Sequence, residues 1–513
     1  MYRFLFVLCC LCTWACSHTP PLPLSPEGTF DTWISGGMVV DGSGQKAYAA
    51  DLLIQADTIA FVGKVDSSRS RALQRIDARG KLISPGFIDP HSHGDPLRRP
   101  VFANFLAQGV TSISLGQDGY SAPFRDFGAW MDSVEQQQPG VNIIPFVGHG
   151  TLRELSGVRF KKDVPKEGLD SMLALLSDAL QAGAWGMSTG LEYTPGRFAG
   201  EEELTALARR IGQADAMIMS HVRNEDDPAM NQSLAELLLQ GQHCRVHVSH
   251  MKSVYGQGVA RAEQLLQLMD SARTQGLLVT ADIYPYTASY TTIGIVFPDW
   301  ARPPVSFSRI RRLKRQQLTT YLEKRITQRN GPEATLFATA PYTGKTLAQV
   351  AEEKQKSFTE VLIDDIGPRG ASAAYFVMNE DLQKRLMQDS LVMIGSDGSP
   401  TMFHPRGYGS FTKVLETHVR QDSLFSLEEA IRKMTSLTAQ TLGMPRRGLI
   451  ESGYIADLAI FTPEALQAKA TFAKPHQLSE GMDLVLIRGQ IAFQEGEAVT
   501  PRFGKVLRKK SSR

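Results

Sequence analysis

Residues 86–93 read Gly86-Phe87-Ile88-Asp89-Pro90-His91-Ser92-His93, an apolar run that ends in two histidines. Side chains alternate between the faces of an extended segment, so His91 and His93 are expected to project the same way from one strand end. Two converging imidazoles suit a divalent transition metal, and Asp89 and Asp95 stand near enough in the chain to orient them. The stretch therefore predicts a first strand that leads into a metal site.

Seven further short apolar runs follow, and most are preceded by a helical pattern. Amphipathic helices are predicted over 169–182, 201–213 and 264–275. Strands that alternate with helices indicate an α/β protein with a parallel sheet, and eight such units indicate a closed (β/α)8 TIM-like barrel. The eight predicted strands are residues 86–93, 109–116, 141–148, 184–189, 216–222, 246–251, 277–284 and 391–397.

The chemically distinctive residues end these runs or directly follow them. In a barrel of this kind the active site lies at the carboxyl ends of the strands. Histidines scattered through a core would not all fall at one end of their strands, so a shared site is predicted there. The residues concerned are His91, His93, Asp118, His149, His221, His250 and Asp397.

Four of these histidines come from three strands and would meet over the mouth of the barrel. The set His91, His93, His221 and His250 suits zinc or another borderline divalent ion. Asp397 is predicted to be the general acid/base, because a carboxylate beside a metal-activated water can take its proton and pass it to a leaving amine. The structural alternatives are packed core histidines and an ordinary Asp-Gly turn at Asp397.

The two ends of the chain lie outside the predicted barrel, which spans 84–445. Residues 30–83 and 446–505 carry strand-like runs, among them 57–65, 457–461 and 484–493, and are predicted to form one small β-sandwich domain. An insertion at about 287–390, with a helix over 347–356, separates the seventh and eighth strands. A connection of this length is commonly a lid or a substrate subdomain.

The first sixteen residues resemble an export signal more than a part of the fold. Arg3 precedes an apolar stretch too short to span a bilayer, and the stretch ends with Ala15 before Cys16. The segment resembles a bacterial lipoprotein signal with Cys16 as the lipidated residue, and the Pro-rich residues 17–29 suit a tether. An exported protein is predicted, periplasmic or anchored to a bacterial membrane through Cys16.

Composition excludes some partners. The 513 residues include 55 Lys and Arg against 53 Asp and Glu, and a net charge of +2 gives no support for nucleic-acid binding. The basic cluster at 508–510 is expected to be a frayed, solvated terminus. Nothing in the sequence indicates an oligomeric state.

From about residue 30 to 500 the chain resembles the amidohydrolase superfamily and, within it, the N-acyl-D-amino-acid deacylases (D-aminoacylases). The motifs that carry the resemblance are residues 85–93, 148–153, 186–193, 221–225, 249–252, 284–286, 395–398 and 404–406. Together they are far more specific than a histidine pair alone.

The resemblance implies a role for each matched residue. His221 and His250 match the ligands of a tightly held metal, His91 and His93 match the pair that serves a second site, and Asp397 matches the general acid/base. Lys252, Tyr284 and Arg406 match groups that bind the α-carboxylate of the substrate, and two cations with a hydroxyl donor suit an anion. The residues expected to contact substrate are Lys252, Tyr284, Arg406, Tyr193 and His149; His149 would donate to a developing oxyanion or support a ligand.

The chain departs from the family at one ligand. Many superfamily members bridge two metals with a carboxylated lysine on the fourth strand, where this chain offers Trp185, Met187 and Ser188. The D-aminoacylases place a cysteine after the second strand, and Asp118 stands there instead. The resemblance implies that Asp118 is a ligand, although a harder one than thiolate. One or two ions are expected, of zinc or another divalent metal.

These observations imply a hydrolase that cleaves the amide of an N-acyl-D-amino acid or of a related peptide with a D-residue. A dipeptidase, or a cyclic amidase that opens a hydantoin-like or dihydroorotate-like ring, is the alternative on the same fold. A surface-anchored binding protein without turnover is a further alternative. The presence of Asp397 together with the histidines argues against it.

Overall fold

The computed structural model describes residues 24–510. The predicted signal, residues 1–16, and the predicted tether as far as residue 23 lie outside the described residues. Within 24–510, no helix combines the length and the apolar character needed to cross a bilayer.

From residue 24 on, five strands precede the barrel: β1 (Gly28–Val39), β2 (Tyr48–Gln55), β3 (Thr58–Gly63), β4 (Ser70–Asp77) and β5 (Leu82–Pro85). Strand β1 pairs antiparallel with β2 and parallel with both β4 and β5. It can serve three partners because a bulge between Ile34 and Gly37 bends it, so that β4 pairs with its first half and β5 with its end.

The chain then alternates between strands and helices. The strands are β6 (Phe87–Asp89), β7 (Val110–Leu115), β8 (Asn142–Pro145), β9 (Val147–Gly148), β10 (Gly186–Gly190), β11 (Met217–His221), β12 (Arg245–Val248) and β13 (Val279–Ile283). The helices are α1 (Ala103–Leu106), α2 (Phe127–Gln136), α3 (His149–Leu155), α4 (Lys166–Ala182), α5 (Glu201–Gln213), α6 (Asp227–Gly241) and α7 (Gly258–Thr274), with a 3-10 turn at Gly196–Phe198. The three helices predicted from periodicity correspond to α4, α5 and α7.

The long insertion has its own small sheet and core. Its elements are β14 (Ser289–Thr292), 3-10 turns at Ile293–Val296 and Asp299–Ala301, α8 (Phe307–Leu313), α9 (Arg315–Gln328), a 3-10 turn at Pro332–Ala334, β15 (Thr335–Phe337), α10 (Leu347–Lys354), α11 (Phe358–Glu360), a π-helix at Val361–Ile366, β16 (Ser372–Tyr375) and α12 (Glu380–Gln388). Strand β16 lies between β14 and β15. Buried residues such as Phe297, Leu322 and Tyr375 pack together here, and α10 confirms the helix expected near 347–356.

Strand β17 (Val392–Ile394) completes the barrel and is followed by α13 (Arg406–Lys413), a π-helix at Val414–Gln421, α14 (Leu427–Met434) and α15 (Ser436–Leu442). Parallel pairing runs from β9 through β10, β11, β12 and β13 to β17, and from β6 through β7 to β8. A bridge from Ser92 to Gly398 joins the ends of β6 and β17, and β8 leads directly into β9 through Phe146. All eight predicted strand runs are confirmed, with β8 and β9 sharing the third.

Alternation along the barrel strands separates two packing faces. Met217 and Met219 pack with Ile144 and Trp185 on one face, whereas Ile218 between them packs with the surrounding helices. The barrel is therefore filled by side chains, and its chemistry is confined to the ends of the strands.

The chain ends with β18 (Leu458–Phe461), a 3-10 turn at Pro463–Ala465, β19 (Met482–Ile487), β20 (Gln490–Gln494) and β21 (Glu497–Ala498). Because β18 pairs with β5, both ends of the chain share one nine-stranded sheet. The predicted fold class, a barrel with a small β domain built from both chain ends, is confirmed, and the described strands of that domain, predicted as a β-sandwich, form one continuous hydrogen-bonded sheet.

Two local expectations were wrong. The run 484–493 is a hairpin and not one strand, because Arg488 and Gly489 both adopt positive φ, 53° and 76°, as a two-residue turn requires. The basic cluster at 508–510 is docked: the Lys509 N–H donates to Gly183 O at 2.9 Å, and Arg508 pairs with Asp132.

Candidate active site

The histidine pair lies just beyond the first barrel strand. Strand β6 ends at Asp89, so His91 and His93 are not strand residues as the alternation argument assumed. The segment is still paired with the last strand, because the Asp397 N–H donates to His91 O at 2.8 Å and the His93 N–H donates to Gly398 O at 2.7 Å. The two imidazoles converge with ring centroids 5.4 Å apart.

One group of possible metal ligands consists of His91, His93, Asp118 and Asp397, whose donor atoms all lie within 4.8 Å of one another. His93 Nε2 lies 3.1 Å from Asp397 Oδ1 and 3.4 Å from Asp118 Oδ2. His91 Nε2 lies 3.3 Å from Asp118 Oδ1. Three elements of the barrel mouth thus supply one cluster.

A second group consists of Asp118, His221 and His250. His250 Nε2 lies 3.1 Å from Asp118 Oδ1 and 3.0 Å from His221 Nδ1. Asp118 belongs to both groups, and its two oxygens face different histidines. Its carboxylate therefore occupies the bridging position between the two clusters.

The residues present fit a divalent metal. Both ring nitrogens of His91 are buried and have no hydrogen-bond partner among the described residues. Buried polar atoms without a partner are rare and costly in native proteins. A set of imidazole nitrogens and carboxylate oxygens is the donor chemistry of zinc and its neighbours, so a bound ion would satisfy His91.

Three acidic residues that the sequence analysis did not assign orient these imidazoles. Glu192 Oε2 lies 3.1 Å from His221 Nε2, and Glu225 Oε1 lies 3.2 Å from His250 Nδ1. Asp282 Oδ1 accepts the backbone N–H of His250 at 3.0 Å. Carboxylates in such positions fix the tautomer and direction of a ligating ring. The signal for them was available, since each acid stands in a barrel strand or within four residues of a strand's carboxyl end.

Asp89 and Asp95, expected to support the histidine pair, behave differently. Asp89 is buried and accepts the backbone N–H of His91 at 3.1 Å, as well as the hydroxyl of Ser396. Asp95 is exposed and pairs with Arg98. Only Asp89 therefore supports the site.

The predicted anion-binding residues also come together. Lys252, Tyr284 and Arg406 line one small recess that reaches His221 and Asp397. Burial raises the pKa of Tyr284 to about 12, so its hydroxyl remains a donor at neutral pH. The Arg406 guanidinium lies 4.8 Å over the Tyr284 ring.

Each cation of the recess has an acidic partner. Lys252 Nζ lies 2.6 Å from Glu225 Oε1, and Arg406 Nη1 lies 2.8 Å from Asp397 Oδ2. Burial alone would raise the pKa of Asp397, but the Arg406 guanidinium and the neighbouring imidazoles outweigh it and hold this pKa well below its usual range. Asp397 is therefore an anion, as a general base must be before it takes a proton.

Three site residues have left-handed backbones. The φ angles are 54° at Asp118, 36° at His250 and 46° at Asp397. Non-glycine residues seldom adopt such angles, and those that do cluster at functional sites where the surrounding packing enforces them.

A tight loop, Gly116–Gly119, carries Asp118. A Cβ on Gly116 would lie 1.9 Å from Phe146 O, and one on Gly119 would lie 2.7 Å from Gly190 N. The Ser188 hydroxyl donates to Gly116 O and accepts the Gly119 N–H at 3.0 Å. Ser188, on the fourth barrel strand, thus ties both ends of the loop together.

The two remaining predicted residues differ in placement. The Tyr193 ring lies 4.5 Å from the His221 ring and lines the cavity above it. His149 does not line that cavity. It begins α3, and its Nε2 lies 2.7 Å from Glu203 Oε1 on α5, which also pairs with Arg153. The contact of His149 with Glu203 is the one that the described residues show, and its predicted role at the substrate or at a ligand stays a prediction.

A cavity of about 670 Å³ opens above the ligand clusters. His93, Asp118, Asp397 and Arg406 form part of its floor. The insertion supplies part of its wall through Tyr290, Arg302 and Arg369, among other residues. The arrangement provides an anion recess, candidate metal ligands and a proton acceptor within one enclosure.

Comparison with known proteins gives this arrangement a context. Residues 357–493 match the model of the amidohydrolase family. The chain is 34% identical to an N-acyl-D-glutamate deacylase of Alcaligenes xylosoxydans xylosoxydans, covering 94% of this chain and 97% of the relative. It is also 34% identical to an N-acyl-D-aspartate deacylase of the same organism, over 93% and 95%.

Solved structures agree. An N-acyl-D-glutamate deacylase from Bordetella bronchiseptica, complexed with zinc and a phosphonate inhibitor, superposes with a TM-score of 0.82 and 32% identity, covering 94% of this chain and all of that one. A D-hydantoinase shares the fold alone, at a TM-score of 0.58 and 15% identity over 94% of this chain and all of that one.

A barrel whose strand ends gather imidazoles and carboxylates around a proton acceptor suits a metal-dependent hydrolase, and the relatives that match the chain over its length are deacylases, which act on amide bonds. The matches to N-acyl-D-amino-acid deacylases cover 94% of the chain, so they identify a narrower group within that class. The chain belongs to the amidohydrolase family, in the branch of the N-acyl-D-amino-acid deacylases.

Proposed function

We propose that this protein removes the acyl group from N-acyl-D-amino acids, or from related D-residue peptides, with the help of one or two divalent metal ions. The observation that carries the proposal is the position of Asp118. It is shared by two histidine clusters and lies beside a recess that gathers Lys252, Tyr284 and Arg406.

His221, His250 and Asp118 would hold one ion, and His91, His93 and Asp118 would hold the other. A divalent ion bound there supplies Lewis-acid chemistry, polarising a carbonyl oxygen and lowering the pKa of a water molecule. Zinc is the proposed metal, because imidazoles dominate the donor set. The Asp118 carboxylate also suits harder ions than a thiolate would.

Asp397 would move the proton. Its Oδ1 faces His93, and its Oδ2 accepts from Arg406. An anionic carboxylate in this place takes a proton from the attacking water and then delivers it to the nitrogen of the leaving amine. Since Arg406 stabilises the anion, it also favours the return of the proton to the product.

The recess would hold the α-carboxylate of the substrate. Lys252 and Arg406 supply positive charge, and Tyr284 supplies a hydroxyl donor. A carboxylate fixed there and an acyl group held at the clusters fix two substituents of the α-carbon, so the wall that meets the third, the side chain, selects the enantiomer. The names of the relatives, deacylases of D-amino acids, support the D-enantiomer.

The alternatives are less well supported. A hydantoin-like ring carries no free carboxylate that would need two cations, and the hydantoinases are much more distant in sequence. A dihydroorotate-like ring and a dipeptide each carry such a carboxylate, but the relatives that match more than nine-tenths of the chain are named as deacylases. A binding protein without turnover has no use for a proton acceptor among metal ligands.

We also propose that the protein is exported and anchored through Cys16. The sequence pattern of residues 1–16 is the support for this proposal. Metabolic labelling with a fatty acid should modify the wild-type protein and not Cys16→Ala; unlabelled wild-type protein would overturn the anchor.

The deciding assay compares matched N-acetyl-D- and N-acetyl-L-amino acids, using the zinc-loaded protein without residues 1–16. We expect amine release from the D-series only, lost on chelation and restored by zinc. Release from neither series by protein with bound metal, or equal release from both, would overturn the proposal.

A further inference from the structure

The cavity above the ligand clusters is larger and more apolar than an acetyl group requires. We infer that it contains a subsite for a bulky apolar acyl group, so that the preferred substrates are D-amino acids with medium-chain or aromatic N-acyl groups. This inference rests on the proposed function and names the class of acyl group that the same site takes.

The first observation is size. The cavity volume is about 670 Å³, within the range of roughly 300–1,000 Å³ that accommodates drug-sized ligands. The amino-acid carboxylate has its own recess at Lys252, Tyr284 and Arg406. An acetyl group, with a single methyl beyond the carbonyl, leaves most of the larger cavity to water.

The second observation is the aromatic lip, a set of rings formed by Tyr120, Phe160 and Tyr193 on one side of the cavity. Tyr120 is 50% exposed and Phe160 is 37% exposed. The Tyr120 and Tyr193 rings lie 6.5 Å apart, so they form a continuous surface down toward His221. Exposed aromatic patches that line a cavity are typical of sites that bury an apolar ligand.

The third observation is the position of the lip relative to the recess. Tyr120 follows β7 and Tyr193 follows β10, the second and fourth barrel strands, whereas Lys252 and Tyr284 follow β12 and β13, the sixth and seventh. In an eight-stranded barrel the second strand faces the sixth, so Tyr120 lies across the mouth from Lys252, while Tyr193 lines both the cavity and the recess and joins them. The metal-ligand clusters lie between Tyr120 and Lys252.

The geometry of an amide connects the two sides. A secondary amide is planar and trans, so its acyl chain and the α-carbon extend in opposite directions from the C–N bond. With the carboxylate in the recess and the carbonyl over the clusters, the acyl chain must run toward the aromatic lip. The side chain of the amino acid branches on the near side, toward the insertion.

The charged residues that line the cavity favour an uncharged acyl group. Arg302 and Arg369 belong to the insertion wall, while Glu154 is the ionisable residue beside Phe160 in the cavity lining. An anionic acyl group would meet Glu154, and the nearby cation, Arg159, already pairs with that carboxylate, its Nε 3.4 Å from Glu154 Oε2. An aliphatic or aryl chain would only displace water from the aromatic rings.

The experiment measures kcat/KM for a series of N-acyl-D-amino acids with one amino acid and acetyl, butanoyl, hexanoyl or octanoyl groups, each below its micelle-forming concentration. We expect kcat/KM to rise along the series, by up to about fourfold for each methylene that leaves water. A second series keeps the acetyl group and lengthens the amino-acid side chain, and we expect a weaker trend there.

Variants assign the gain to the lip. Phe160→Ala should lower the octanoyl-to-acetyl ratio of kcat/KM by about tenfold, and Tyr120→Ala should act in the same direction. Phe124→Ala is the matched control, because Phe124 stands in the same loop as Tyr120 and is 43% exposed but does not line the cavity. Its ratio should equal that of the wild-type protein.

The outcomes separate this inference from the proposed function. Hydrolysis of the acetyl substrate with no gain along the acyl series overturns the subsite and leaves the function standing. A gain that follows the amino-acid side chain instead, or that Phe160→Ala leaves intact, also overturns the subsite. No hydrolysis of any D-substrate by protein with bound metal overturns the function itself.

Discussion

The two ends of the barrel bury charge in different ways. At the amino end of β17, the side chain of Lys433 is fully buried, and its ammonium donates to Asp389 O and, at 3.0 Å, to Val392 O. At the carboxyl ends of the strands, both His91 nitrogens have no hydrogen-bond partner among the described residues, and Asp397 has a left-handed backbone.

This contrast between the two ends distinguishes the buried polar groups that serve the fold from those that indicate a functional site. A buried charge whose donors all find acceptors belongs to the packing of the fold and needs no ligand. A cluster that leaves ring nitrogens without partners and holds its backbone in rare conformations is complete only with a ligand. Changes at the carboxyl end should therefore alter chemistry, and changes at the amino end should alter stability.

The largest effect is expected from Asp397→Asn. The amide keeps the shape of the carboxylate but cannot take a proton, so kcat should fall by about 10²–10⁴-fold. Metal content, measured on the same preparation, distinguishes the loss of proton transfer from the loss of an ion. Activity within tenfold of wild type, with full metal content, would show that another group moves the proton.

Ser188→Ala should have an intermediate effect. It removes the hydroxyl that joins Gly116 O to the Gly119 N–H, so Asp118 loses its fixed position and zinc affinity should fall by roughly 10–100-fold. Chelator competition measures the affinity directly. Ser177→Ala, whose hydroxyl donates to Leu173 O within α4, is the control; equal affinities in the two variants would remove Ser188 from the account.

Lys433→Met should change how the free energy of unfolding depends on pH and leave kcat/KM unaltered. Burial lowers the pKa of Lys433 to about 8, against about 10.4 in an unfolded chain. Between these values the unfolded chain binds the extra proton, so this residue makes the free energy of unfolding rise with pH, by at most about 1.4 kcal/mol per unit. Below pH 8 both states are charged and the burial penalty is complete.

The measurement is the free energy of unfolding, from denaturant titrations between pH 7.5 and 9.5. The difference between wild type and Lys433→Met should shift in favour of the wild type as pH rises. Parallel profiles would contradict the assigned burial of the ammonium, and an altered kcat/KM would break the contrast between the two ends.

Much of the architecture could be predicted because it depends on local pattern. Apolar runs such as 216–222, with histidine near the end, identify both a buried strand and the end that carries chemistry. The ligands His221 and His250 followed from the same rule. The hairpin at Arg488 and Gly489 could not be found that way, since an Arg-Gly pair is a weak turn signal and the flanking strands are continuous in hydrophobicity.

The residues that could not be identified from the sequence are those whose role depends on the direction in which the side chain points. Glu192 and Glu225 stood in recognised motifs, but only the fold shows that they face the far nitrogens of His221 and His250. The contacts of His149 also depend on the direction of its side chain. A helix begins at that residue and turns its ring toward Glu203, and the position of a residue at a strand end does not reveal this turn.

The most direct test of the account is zinc stoichiometry, measured by equilibrium dialysis and elemental analysis on wild type, Asp118→Ala and Lys433→Met, each without residues 1–16. We expect one or two zinc ions per chain in the wild type and in Lys433→Met, and at least one fewer in Asp118→Ala. No zinc above background in the wild type, or unchanged binding in Asp118→Ala, would contradict the claim that the carboxyl end of the barrel is a metal centre organised by Asp118.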